Sequence, residues 1–151
     1  MMHTRRTVLA SLSALLAAPV WAAKPPATPM EVWKDPNCGC CKDWVKHLEQ
    51  AGFAVRVYDT GNEAKRAALG MPQALGSCHT GVVGGYAIEG HVPAKDIQRL
   101  LREKPPIRGL VLPGMPMGSP GMEVEGVDAP SYTVLALNRD GSTTPYAEHS
   151  P

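Results

Sequence analysis

The sequence has no surplus of either charge: 15 Lys and Arg stand against 14 Asp and Glu, a formal net charge of +1. That balance removes the electrostatic reason to expect a nucleic-acid partner. Aromatic residues are scarce, at 5% with a single phenylalanine, and there is no internal repeat and no long run of charge. One apolar run exists, from Val8 to about Val20, and it is too short to cross a bilayer as a stable helix. No membrane span is therefore expected in the mature chain. Cysteine is also sparse: four residues in 151, with Cys78 alone outside the stretch CGCC at 38–41. What remains is an ordinary globular balance, 44% hydrophobic and 19% charged, which fits one domain with elaborations. Fifteen glycines and fifteen prolines announce many turns.

The N-terminal segment reads as an export signal over residues 1–22. Arg5 and Arg6 precede the apolar run, and Val20, Trp21 and Ala22 fit a small-residue cleavage pattern. The paired arginines of TRRTVL resemble the twin-arginine signal, with general secretion as the other route. The mature chain is expected in the periplasm, carrying a net charge of about −1 once both arginines are lost. No cysteine stands at the cleavage site to take a lipid anchor. An oxidising compartment favours disulfides, so four cysteines there need protection or a use.

Residues 23–30, AKPPATPM, read as a Pro-rich linker. EVWK (31–34) is a short strand. KDWVKHLEQAG follows CGCC with Trp44, Val45, Leu48 and Ala51 at helical spacing, stopped by Gly52. FAVRVYDT (53–60) has strand character. Asn62 is placed to cap a short helix, EAKRAAL, ending at Gly70. TGVV and YAIEGHV flank Gly84-Gly85, a two-residue hairpin signal. Pro93 opens the helix AKDIQRLLRE, and Pro105-Pro106 ends it. The order over 31–104 is β-α-β, α, β-β-α, the order of a thioredoxin-like α/β core. CGCC falls where the first strand gives way to the first helix. Residues 105–151 form a C-terminal extension: a strand candidate GLVLP, the Gly/Pro-dense loop GMPMGSPGMEVEG, and a hairpin turning at Asn138–Gly141.

The sulfur pattern admits three chemistries: a redox dithiol, disulfide staples or a metal site. Cys38 and Cys41 have Cys-x-x-Cys spacing, about one helical turn apart, at a helix N-terminus that stabilises thiolate. Cys40 is foreign to an ordinary redox motif. A disulfide to its neighbour Cys41 would strain the peptide between them. Cys40 therefore needs a partner elsewhere or a metal. Cys78 lies just before the hairpin, in GSCHT, where thioredoxin-like chains usually carry a cis-proline beside the redox motif. The nearest proline here is Pro72. A cysteine in that seat weakens the redox reading and strengthens the metal reading. Met115, Met117 and Met122 share one loop, and thioethers with thiolates are soft ligands that select Cu(I). Zinc would be served by four Cys or His ligands without thioethers. His79 and His91 are imidazole candidates beside the cluster. Packing is the plain alternative for the methionines and for Trp44, hydrogen bonding for His79 and a strand-end role for His91. His47 is expected on the surface, and His149 in a disordered tail.

Three segments in order, DPNCGCCKDW, GSCHTGVVGGYAIEGHVPAKDIQRLL and VLPGMPMGSPGME, resemble the CopG-type periplasmic copper-resistance proteins over roughly residues 31–147. That resemblance implies a thioredoxin-like domain with added elements. It implies a thiolate-bridged multinuclear copper cluster built by Cys38, Cys40, Cys41 and Cys78, with the Met115–Met122 loop and nearby histidines as further contacts. It also implies a part in copper tolerance, with copper ions and other periplasmic copper-handling proteins as partners and a change of copper oxidation state proposed for the family. The alternative is a periplasmic thiol-disulfide oxidoreductase using Cys38 and Cys41. A zinc-stabilised structural module is a third reading.

Overall fold

The computed structural model describes residues 26–150. The export signal expected over 1–22 and the first residues of the linker lie outside that range. Strand β1 (Thr28–Lys34) leads into helix α1 (Gly39–Gln50), then β2 (Phe53–Tyr58), α2 (Asn62–Ala68), β3 (His79–Val83), β4 (Tyr86–Glu89) and α3 (Ala94–Glu103). The expected β-α-β, α, β-β-α order is present. Three further strands follow: β5 (Gly109–Val111), β6 (Tyr132–Leu137) and β7 (Thr143–His149). All seven strands form one mixed sheet in the order β2-β1-β3-β4-β5-β6-β7. β1 pairs parallel with β2 and β4 with β5, and the other four pairings are antiparallel.

Alternation along the strands sorts the core into two faces. Ile88, Leu110 and Ala136 join the larger cluster with Trp44, Leu48, Ile97 and Leu100, so α1 and α3 share one face of the sheet. Their chain neighbours Ala87, Val111 and Leu137 turn the other way and pack with Met71. Gly84 and Gly85 both take positive φ (55° and 83°), the conformation a two-residue hairpin demands.

Several expectations are corrected in detail. β1 begins at Thr28, within the segment read as linker, because Pro29 falls where β1 pairs only with β2; β3 joins at Glu31. A proline survives in that half-edge because its missing N–H is not needed on the open side. Asn62 does not cap α2; Gly61 does, at φ 70° and with no side-chain bond. His149 is no disordered tail: it ends β7, stacks on Tyr132 at 4.9 Å and pairs with Asp96 at 2.7 Å. His47 is half-buried, its Nε2 accepting the Ala94 N–H at 3.1 Å.

The pairing register positions the cysteines. Lys34, the last residue of β1, lies opposite His79, the first of β3. Cys38 follows β1 by one tight turn, its N–H donating to Asp35 O at 3.1 Å, and Cys78 directly precedes His79. The start of α1 and the approach to β3 therefore meet at one end of the sheet.

Candidate metal centre

Cys38 is the N-cap of α1, and its sulfur accepts the Cys41 N–H at 3.3 Å. The first helical turn holds Cys40 and Cys41 behind it. The Sγ atoms of Cys38, Cys40, Cys41 and Cys78 all lie within 4.8 Å of one another. Cys38 and Cys41 are joined as a disulfide, their Cα atoms 5.4 Å apart, and Cys40 and Cys78 are free. The Cys-x-x-Cys pair is thus in its oxidised form, with Cys40 Sγ 3.5 Å from Cys38 Sγ. Cys41 is fully buried while Cys38, Cys40 and Cys78 are half-buried.

Two histidines complete the constellation. Cys78 Sγ, His79 Nδ1 and His91 Nε2 form a second set within the same 4.8 Å limit. Both rings are fully buried. His79 Nε2 lies 2.9 Å from Gly90 O and His91 Nδ1 lies 2.8 Å from Pro120 O. A carbonyl can only accept, so those nitrogens carry the protons and the opposite nitrogens are bare. The bare His79 Nδ1 faces the sulfurs of Cys78 and Cys41, each at 3.4 Å, and the bare His91 Nε2 faces Cys78 Sγ at 3.3 Å. The Cys41 sulfur has no proton to give, and Cys78 has one. One buried imidazole lone pair is therefore left without a donor. A cation answers both lone pairs at once, and the outer hydrogen bonds are those that fix metal-binding imidazoles in the correct tautomer.

Electrostatics keep the donors of this set neutral in the metal-free chain. Burial, with His91 beside it, pushes the His79 pKa down to about 3, and burial lowers that of His91 as well, so both rings are neutral ligands at physiological pH. Burial and the nearby Cys40 raise the Cys78 thiol to about 11. A bound cation inverts that penalty by taking the proton's place.

The methionine loop is fastened over this end at both sides. Ser77 Oγ donates to Gly114 O at 2.7 Å, and Pro120 O accepts the hydrogen bond from His91 Nδ1–H. Gly121, at φ 84°, passes so close that a Cβ would stand 2.6 Å from Cys40 O and 2.9 Å from Trp44 N. Met115 and Met117 are exposed and Met122 is half-buried. Core packing therefore does not account for the first two. Trp44 is core and also a wall of the site: its indole donates to Val92 O at 2.9 Å and stacks on His79 at 4.1 Å.

Sequence reasoning missed the support beneath Cys78. Glu89 is fully buried and Arg66 nearly so, and they pair at 2.8 Å. Glu89 Oε1 also accepts the Ser77 N–H at 2.7 Å, Arg66 donates to Ser77 O at 2.6 Å, and Thr80 donates to Glu89 Oε2 at 2.7 Å. Both backbone groups of Ser77 are held by one buried ion pair. No peptide bond among the described residues is cis, in keeping with GSCHT standing where thioredoxin-like chains usually carry a cis-proline, and the backbone just before Cys78 is held by this clamp. The sequence offered little signal: Glu89 interrupts the apolar run of YAIEGHV, while Arg66 sits beside Lys65 on a charged helix and reads as surface.

A family profile described as "Protein of unknown function, DUF411" matches residues 75–122, from the Cys78 approach through the methionine loop. A solved structure described as "Copper resistance protein copG- Form 1" is 46% identical, with a TM-score of 0.76 over 83% of this chain and 99% of that one. A second, "Copper resistance protein copG- Form 2", is 47% identical, with a TM-score of 0.75 over 82% and 98%. No curated protein matches. The chain belongs to the CopG copper-resistance protein family. Its CopG-like sheet and cysteine cluster extend well beyond the profile match, since CGCC lies upstream of residue 75.

Proposed function

We propose that this chain is an exported periplasmic copper-binding protein that holds Cu(I) in a multinuclear, thiolate-bridged cluster on a thioredoxin-like scaffold. Cys38, Cys40, Cys41 and Cys78 supply the bridging sulfurs, His79 and His91 supply imidazole, and Met115, Met117 and Met122 supply thioether contacts at the mouth. It contributes to copper resistance by sequestration, with interconversion of Cu(I) and Cu(II) as a further capacity, and exchanges copper with other periplasmic copper-handling proteins. The observation that carries this reading is the convergence of four cysteine sulfurs within 4.8 Å, sharing Cys78 with two buried histidines. Soft donors of that kind favour Cu(I), and a thiolate has lone pairs enough to bridge two ions. Among the described residues no helix is long and apolar enough to cross a membrane. The test is titration of the reduced protein with Cu(I) against a competing chelator. Several coppers per chain are expected; one or fewer rules out the cluster.

The Cys38–Cys41 disulfide at a helix N-terminus favours a second reading, thiol-disulfide exchange with substrate proteins. Replacing Cys40 or Cys78 by Ser separates the two. The exchange reading predicts full disulfide reductase activity in both variants, and the copper reading predicts loss of cluster loading in both.

A further inference from the structure

The four-sulfur set and the Cys78–His79–His91 set share one residue but not one redox requirement. The first needs four thiolates, and two of its sulfurs are bound to each other. Sulfurs in a disulfide carry no thiolate charge and are poor metal ligands. The second set contains neither Cys38 nor Cys41. Its free thiol and its two bare, buried ring nitrogens stand complete while the disulfide is closed. Burial holds both rings in place, and the bonds to Gly90 O and Pro120 O do not involve the disulfide.

We propose that the redox state of Cys38–Cys41 sets how many metal ions the centre holds. In the disulfide form the chain binds a single Cu(I) through Cys78 Sγ, His79 Nδ1 and His91 Nε2. In the dithiol form it binds the multinuclear cluster. This rests on the copper reading above and adds a co-reactant to it: loading beyond one ion requires a dithiol reductant. The half-buried Cys38 is the sulfur such a reductant reaches, since Cys41 is fully enclosed. A donor thiolate attacks Cys38 Sγ, forming a mixed disulfide, and Cys41 leaves as a thiolate that can take up a proton or a copper ion. The donor's second thiol then attacks its own sulfur in the mixed disulfide and releases Cys38. Two electrons pass to the Cys38–Cys41 pair, and the donor ends as a disulfide.

The test uses the full mature chain in two forms verified by thiol counting: oxidised, with two free thiols, and reduced, with four. Each is titrated with Cu(I) against a chromogenic chelator, and bound copper is counted by native mass spectrometry. The expected result is one copper on the oxidised form and several on the reduced form. A His79→Gln/His91→Gln variant is expected to lose the oxidised-form ion, and a Cys38→Ser/Cys41→Ser variant to stay at one copper with or without reductant. Equal loading of the two wild-type forms above one ion, or no copper on the oxidised form, overturns the proposal and needs no variant to read. Retention of the oxidised-form ion by the double histidine variant overturns the donor assignment. Loading of one or fewer coppers by the reduced form is a different failure, that of the cluster reading itself.

Discussion

His79 commits one ring nitrogen to Gly90 and leaves the other facing sulfur, and His91 does the same through Pro120. That arrangement has a consequence for the metal-free chain. The unfolded chain takes up protons near the ordinary histidine value of 6.5, while folded His79 refuses one until about pH 3 and folded His91 also titrates low. The unfolded state therefore binds more protons between those limits, and stability is complete above pH 6.5 and lost as pH falls below it. Glu89 works in the opposite sense, because burial raises its carboxyl and the folded state takes its proton first. His47, also lowered by burial, acts in the same sense as the two site histidines, and His79 shows the largest displacement, down to about 3. Urea midpoints of the copper-free protein should fall steadily from pH 7 to pH 5, and His79→Gln should flatten that fall. Identical slopes for the two proteins would show that His79 is not held neutral by the fold. At this scale the sequence was informative about residue type but not about state. The CGCC spacing pointed to Cys38 and Cys41 as a pair and to Cys40 as the surplus thiol. The tautomers could not be anticipated, because they are set by carbonyls 11 and 29 residues away along the chain.

Among the elements, the α2–β4 clamp decides where Cys78 sits. Arg66 reaches from α2 to Glu89 in β4, and together they hold both backbone groups of Ser77. Arg66→Met leaves a buried carboxylate without its partner and should destabilise the fold by about 3–5 kcal/mol, read as a lowered urea midpoint. Adding Glu89→Leu to it should recover much of the loss, since a buried pair replaced as a pair by apolar groups is far better tolerated than one broken. A double variant no more stable than Arg66→Met would contradict this account. The helix spans, the Gly84-Gly85 turn and the C-terminal hairpin were legible because each rests on local chemistry: periodic apolar residues, positive-φ glycines and prolines at helix ends. The clamp was not, because its members are 23 residues apart and each alone looks like surface charge. The early start of β1 at Pro29 was hidden for a similar reason. A proline reads as a breaker until it is known that one side of the strand is unpaired there.

Over the whole molecule, the sheet brings distant sequence to one end. The Lys34–His79 register carries Cys78 to the mouth of α1, and the loop after β5 returns over the same place to give His91 its carbonyl and Cys40 a close glycine. The order of segments made that convergence foreseeable for the cysteines. It did not separate the methionines, of which Met115 and Met117 face solvent and Met122 is half-buried. The copper account depends on these donors acting as one centre, so the most direct measurement is copper K-edge X-ray absorption on the reduced, fully loaded protein. It should give a first shell dominated by sulfur, a minor imidazole contribution and a distinct copper–copper distance. A first shell of nitrogen and oxygen, or sulfur-bound copper with no second copper nearby, would contradict it.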